Sequence, residues 1–262
     1  MHEQRGPDPG RAMDWGRTSV DYAAHRPGPP RKLYDILAQL DIGKPGQRML
    51  DLGTGTGLVA REFARRGCSV SATDSAQAQI EAARRLAQSE GLTIDFRHAP
   101  AEACPFPDAS FDVVTASQCW MYFDAERTWA EVKRVLAPGG VLVTTHFSWL
   151  PQRDALARAS EKLVLQFNPA WQGAGWSGQV PSHPKWADGS AVVRAMFWFD
   201  EAIAFSAESW RGRMRACRGV GATLTPAEVD AFDAQHQRLL ERLAPPCFKV
   251  WHRIDAHVFE PL

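Results

Sequence analysis

Short apolar runs and helical stretches alternate through the first half of the chain. Met49-Leu50-Asp51-Leu52 reads as a buried strand, and Gly53-Thr54-Gly55-Thr56-Gly57 turns it into a helix over about 58–66. Cys68-Ser69-Val70-Ser71-Ala72-Thr73 is a second strand that ends on Asp74. A third covers 93–97, Phe111-Asp112-Val113-Val114 lies on a fourth, and a fifth covers 141–146 after the helix stop Pro138-Gly139-Gly140. The helix between the first two strands supplies the right-handed crossover that parallel strands require. With a leading helix over 29–40, the pattern predicts an α/β chain on a mostly parallel sheet.

After residue 147 the pattern changes. Residues 148–189 are rich in Trp, Gly, Pro and Asn with one helix at 153–166, a composition that suits a lid or insertion. A sixth strand is expected over 192–204, helices over 208–217 and 226–243, and a last strand over 248–259. Thr225-Pro226-Ala227-Glu228 marks a helix start, with a capping threonine and proline at the first helical position. The expected division is an N-terminal tail and cap segment (1–28), a core (29–147), a lid (148–191) and a C-terminal completion of the sheet with inserted helices (192–262). No internal repeats are visible.

The glycine turn carries the first chemistry. Glycine is needed where the backbone takes positive φ or lies directly against a ligand. A dinucleotide fingerprint would want glycine or alanine at position 58, where Leu58 stands. The spacing acidic-x-G-x-G-x-G over Asp51, Gly53, Gly55 and Gly57 instead resembles motif I of the class I S-adenosylmethionine (SAM) methyltransferases. Asp74 ends the second strand, where an acidic side chain accepts from both ribose hydroxyls. The segment from Ala101-Glu102-Ala103 through Phe111-Asp112-Val113-Val114 resembles the adenine-side loop and fourth strand of that family, and Leu136-Ala137-Pro138-Gly139-Gly140 its L-x-P-G-G turn. The resemblance covers about 30–147.

The resemblance implies a Rossmann-like class I methyltransferase fold, with a seven-stranded, mostly parallel sheet, an antiparallel last strand and an aromatic-rich lid. It implies SAM as cofactor. Asp51 and Thr54 would order the turn, Gly53, Gly55 and Gly57 would give backbone room, and Asp74 with Ser75 would hold the ribose. Ala101 and Glu102 would meet the adenine edge, since Pro100 stands where the family usually has an acidic residue. Tyr22 and Arg26 would reach the methionine carboxylate, for which arginine offers a planar fork. Ser117-Gln118-Cys119-Trp120-Met121-Tyr122-Phe123 resembles the Q-x-x-H-W-F segment of a small-molecule branch, placing Gln118 near the SAM amino group and Trp120 and Tyr122 at the acceptor. Met121 occupies the histidine position and cannot act as a base, so His146 at the tip of the fifth strand is the remaining base candidate. Trp15, Trp149, Trp171 and Trp210, with Trp176 and Trp198, would form an aromatic wall. Such faces attract a cation, and SAM is a sulfonium.

Bulk properties narrow the function classes. Lysine plus arginine equals aspartate plus glutamate at 30 each, so no field for nucleic acid is expected. The arginines of 210–218 form either a local basic patch or a solvated helix face. No run of apolar residues is long enough to span a membrane, and 1–11 lacks the apolar core of a secretion signal. The five cysteines are scattered without metal spacing, as in a reduced cytoplasmic protein, and no metal is expected. The reading is a SAM-dependent methyltransferase for a small molecule, acting largely by positioning in an aromatic pocket. Two alternatives stay open: a SAM-consuming cyclase or lyase expelling methylthioadenosine, for example by closing azetidine-2-carboxylate, and a non-catalytic SAM-binding module. The acceptor and the oligomeric state are left open.

Overall fold

The computed structural model describes residues 11–262; residues 1–10, which hold most of the expected N-terminal tail, lie outside the described part. In chain order the elements are α1 (Ser19–His25), α2 (Arg31–Gln39), β1 (Arg48–Leu52), α3 (Leu58–Arg65), β2 (Ser69–Asp74), α4 (Gln77–Ser89), β3 (Asp95–His98), β4 (Phe111–Ser117), α5 (Ala125–Val135), β5 (Leu136–Trp149), α6 (Ala155–Phe167), β6 (Ala191–Ser206), α7 (Ala207–Arg215), α8 (Pro226–Leu243) and β7 (Cys247–Pro261). They form one seven-stranded sheet in the order β3-β2-β1-β4-β5-β7-β6. β1 to β5 pair in parallel, and β7 runs antiparallel between β5 and β6. Fold class and strand directions are those the sequence implies.

Apolar alternation fixes what each face buries. Leu33, Leu37, Val59, Phe63, Ile80 and Ala83 of α2, α3 and α4 pack with Met49, Val70, Val113 and Val143 on one side of the sheet. On the other side Trp129, Val132 and Val135 of α5 meet Leu50, Leu52, Val114 and Leu142.

β6 and β7 are longer than their sequence pattern suggests. They pair from Ala191↔Pro261 to Ser206↔Cys247, whereas β5 stays paired with β7 only as far as Trp149↔His252. The ribbon therefore overhangs the sheet at the carboxyl ends of its parallel strands. It carries α7 and α8, which share a third core with α6: Trp149, Val164, Trp171, Trp210, Met214, Phe232 and Leu240. The lid helix and the inserted C-terminal helices are one packed cap, and α1 lies against α7 so closely that a Cβ on Gly212 would meet the His25 ring at 2.1 Å.

Two of the expected aromatic positions are corrected here. Trp210 is fully buried in the cap core. Its indole donates to Ser160 Oγ at 3.0 Å and its ring lies edge-on to Trp149 and Phe205. Unlike Trp149 and Trp171, Trp210 does not line the cavity beneath the cap, so it is a packing residue and not pocket wall. Trp198 is half exposed on the edge strand, under the Arg253 guanidinium. No helix among the described residues is long and apolar enough to cross a membrane. Trp210→Ala is expected to cost about 3–5 kcal/mol in denaturant unfolding, whereas Trp198→Ala should cost under about 1 kcal/mol; equal losses would contradict the assignment.

Candidate functional site

The site begins with a carboxylate at the end of β1. Asp51 is 3% exposed, and its two oxygens accept from Thr54 Oγ1 and Thr115 Oγ1, each at 2.6 Å. It thereby ties the glycine turn to β4. Burial pushes its pKa up to about 6, partly offset by the two hydroxyls and reinforced by the charge of Asp74. Gly53 has φ +56°, and a Cβ there would meet Cys119 and Phe123 at 3.0 Å, so only glycine fits this corner. Gly57 caps α3 with φ +77°.

The same turn is lashed to β2. Thr54 N–H donates to the Thr73 carbonyl at 2.9 Å, and Gly55 N–H donates to Asp74 Oδ2 at 2.8 Å. Ala76 N–H donates to Asp74 Oδ1, also at 2.8 Å. Burial raises the Asp74 pKa, and these two amides pull it back. Both oxygens keep further acceptor capacity.

These groups open on a cavity of about 360 Å³ roofed by the cap. Gly53, Gly55, Asp74 and Ser75 line one end, and Pro100, Ala101 and Glu102 line the next part. Glu102 is held by accepting from Asp124 N–H at 3.0 Å. Tyr22 and Arg26 close over the turn, with the Arg26 guanidinium 4.6 Å from the Tyr22 ring centre. Gln118 lines the cavity at φ +63°, an unusual backbone for a non-glycine residue. Its backbone N–H donates to the Thr145 carbonyl at 2.8 Å, which holds the strained corner at the tip of β4.

The far end belongs to β5 and the cap. Tyr122 is edge-on to Trp15 there, and Trp149, Trp171 and Trp176 form the aromatic wall. Trp149 Nε1 donates to Glu161 Oε1 at 2.7 Å, and Glu161 Oε2 accepts from Gly175 N–H at 2.8 Å. His146 also lines the cavity, and its Nδ1 lies 2.9 Å from Oδ1 of Asp255, its cross-strand partner on β7. Burial alone would lower the His146 pKa. The Asp255 charge and hydrogen bond outweigh it and hold the pKa above the ordinary 6.5.

Of the residues singled out from sequence, Asp51 and Thr54 lie behind the cavity in a narrow cleft with Arg26, and Gly57 shapes the turn without reaching the main wall. Trp120 is a correction. It is buried against Trp186 at 4.5 Å between ring centres and does not line the cavity. Wall or support residues that escaped sequence reasoning include Glu161, Asp255, Arg213 and Arg218. Arg213 lies in the arginine-rich stretch, which is neither a basic surface patch nor a solvated face. Arg211 and Arg215 are ion-paired to Asp233, while Arg213 turns into the cavity. Among the described residues no three His, Cys, Asp or Glu side chains group so as to hold a metal ion.

The donor set fits a nucleoside with an amino-acid tail. A carboxylate at the tip of β2 suits a diol, a turn without side chains admits close approach, and an arginine stands over that turn. Comparison with known proteins agrees. Residues 50–144 match the family model described as a methyltransferase domain. The demethylmenaquinone methyltransferase of Thermus thermophilus is 43% identical over 141 residues, 53% of this chain and 56% of that protein. The chain thus spans about half the length of the curated relatives it matches. A structure from Anaeromyxobacter dehalogenans assigned to the type II methyltransferases aligns with 89% of this chain and 97% of its own, at TM-score 0.59 and 26% identity. A SAM-dependent methyltransferase of Thiobacillus denitrificans, solved with S-adenosyl-L-homocysteine, covers 95% of this chain and 98% of its own at TM-score 0.52 and 20% identity, and shares the fold.

Asp51 makes stability depend on pH in a fixed sense. It titrates near 3.8 when unfolded and near 6 when folded. Between those values the folded state binds more protons, so stability falls as pH rises, by about 2–3 kcal/mol in all. Asp51→Asn should lack this loss when urea unfolding is followed from pH 4 to 7. Parallel profiles for the two proteins would refute the assignment.

Proposed function

We propose that this chain, which carries a class I SAM-dependent methyltransferase domain, transfers the methyl group of SAM to a nucleophile on a small molecule held under the cap. The observation that carries this reading is the His146–Asp255 pair on the wall of the same cavity that Asp74 and the glycine turn open onto. A SAM-binding module without chemistry would need no such pair beside its ligand.

When bound, SAM supplies an electrophilic methyl group on a sulfonium. Asp74 would hold the ribose hydroxyls, Gly53 and Gly55 would let the chain approach closely, and Ala101 with Glu102 would flank the base. Arg26, stacked on Tyr22, would pair with the carboxylate of the tail. Gln118 Nε2 donates to Ser148 Oγ at 3.3 Å, which orients its carbonyl oxygen for an ammonium group. The aromatic wall shields the reacting centre from water, and a cation over each face gains about 0.5–2 kcal/mol.

His146 would take the acceptor's proton as the new bond to carbon forms. The proton goes to Nε2, the nitrogen not engaged by Asp255, while Nδ1–H donates to Asp255 and the resulting imidazolium is held by that carboxylate. With its pKa above 6.5, His146 is the active base only once pH exceeds that raised value, so activity should climb through neutral pH. The cavity is near the lower end of the ~300–1,000 Å³ of small-molecule sites, which supports a small acceptor.

That same volume favours a second reading, in which SAM is the whole substrate. Attack by its α-amine on its γ-carbon would break the other sulfonium bond, close azetidine-2-carboxylate and expel methylthioadenosine. Mass spectrometry of protein incubated with SAM alone separates the readings. Intact SAM is expected for a methyltransferase lacking its acceptor, and accumulating methylthioadenosine would establish the second reading instead.

Two variants test the assigned roles. Asp74→Ala should weaken S-adenosylhomocysteine binding about 10–100-fold in calorimetry, from the loss of hydrogen bonds to a charged group; unchanged affinity would remove Asp74 from the ribose. In Asp255→Asn the His146 pKa, followed by NMR, should fall below its wild-type value, with methyl transfer slowed about 100-fold. A pKa unmoved by the substitution would dissolve the pair.

A further inference from the structure

Arginines 211, 213 and 215 sit on α7 with alternate fates. Arg211 and Arg215, one helical turn apart, share Asp233 on α8, and Arg215 also binds Asp21 of α1. Arg213 faces the other way. It is 4% exposed and lines the cavity, and its Nε and Nη1 are buried without a hydrogen-bond partner among the described residues. Its guanidinium lies over the Trp149 ring, 4.7 Å from the ring centre. The nearby Glu161 carboxylate is already engaged by Trp149 and Gly175, and Arg213 takes part in no ion pair among the described residues.

A buried cation with no counter-ion is costly, and none is paired with Arg213 among the described residues. Burial, with the like charge of Arg26, pushes the Arg213 pKa down to about 9. A bound sulfonium would add further positive charge to the same enclosed space. Arg26 already stands at the glycine turn, where the cofactor's own carboxylate would sit, and it lines the narrow cleft behind that turn with Asp51 and Thr54. Arg213 lines the main cavity against Trp149 and does not line that cleft.

Resting on the methyltransferase reading above, we propose that the acceptor is a small aromatic carboxylate, whose carboxylate Arg213 binds through its planar fork while its ring lies on the tryptophan wall. The carboxylate neutralises the buried guanidinium, orients the acceptor within the plane of the fork, and leaves a hydroxyl or amine on the ring to face His146. Arg213 is then the specificity-determining residue of the acceptor half.

The test is calorimetry on the full chain loaded with S-adenosylhomocysteine, titrated with benzoate, salicylate and indole-3-acetate and with their neutral amides. The carboxylates are expected to bind about tenfold or more tightly than the amides. Arg213→Met should erase that preference and leave S-adenosylhomocysteine affinity within about twofold, and Arg213→Lys should keep part of the preference. Near-ultraviolet circular dichroism checks that the variants fold, and the wild-type comparison stands without them. Equal affinity for acids and amides, or binding of neither, overturns the proposal. So does a loss of S-adenosylhomocysteine binding in Arg213→Met, which would give Arg213 to the cofactor's tail. Failure of the wild-type protein to bind S-adenosylhomocysteine at all would instead bring down the methyltransferase reading and this proposal with it.

Discussion

A buried carboxylate bridging two threonine hydroxyls organises the ligand end of this sheet. Without Asp51, Thr54 on the turn and Thr115 on β4 would have no common acceptor. The turn would then be held only by its bonds to β2, and the corner at Gly53 would lose its register against Cys119. The arrangement costs stability, since a carboxylate at 3% exposure is partly desolvated. What it provides is position. Asp74, the glycine turn and the tip of β4 are fixed relative to one another before any ligand arrives, so little ordering is left for binding to offset.

The second constraint is the length of the β6–β7 ribbon. Had it stopped where β5 leaves the sheet, α7 and α8 would lose their attachment to the sheet beyond the strand ends. The overhanging residues from Ala202↔Trp251 to Ser206↔Cys247 continue the ladder and supply Phe205 and Val250 to the cap core. The cap is therefore a structural extension of the sheet, with α6 folded into it, and it walls the cavity beneath it. β7 matters twice, because its return between β5 and β6 also brings Asp255 beside His146.

This explains which parts of the site were legible in the chain. Asp51 and Asp74 sit at the ends of strands, and Gly53 and Gly55 in the turn directly after β1, so their place follows from short-range pattern, while Glu102 lies in the loop after β3. The Asp255 partner of His146 is 109 residues away, and only the register of an antiparallel strand brings them together. Tryptophans are ambiguous for a related reason. The same residue type serves as wall at Trp149 and Trp171 and as core at Trp210, and what separates them is the packing of three distant helices. Trp120 deceived because the aromatic segment after β4 alternates direction: Tyr122 turns to the cavity and Trp120 to Trp186. In the arginine-rich stretch a helical wheel does separate residues 211 and 215 from 213. It does not say which side is solvent, because α7 is flanked by partners on both sides.

Charge in the enclosed space ties the two halves of the site together. In the proposed reading Arg26 would meet the cofactor's carboxylate and Asp74 its neutral ribose hydroxyls, while Asp255 would compensate a protonated His146. Beside those groups, Arg213 Nε and Nη1 are buried without a hydrogen-bond partner among the described residues. In a cavity shielded by tryptophan, an unmatched cation acts at longer range than it would in water. It repels a second cation and favours an anion, and that preference applies to whatever enters beside the cofactor. An anionic acceptor would also lessen the repulsion between Arg213 and the sulfonium in the ground state. The compensating charge would then arrive with the acceptor, so the site would reach electrostatic balance only when both ligands are in place.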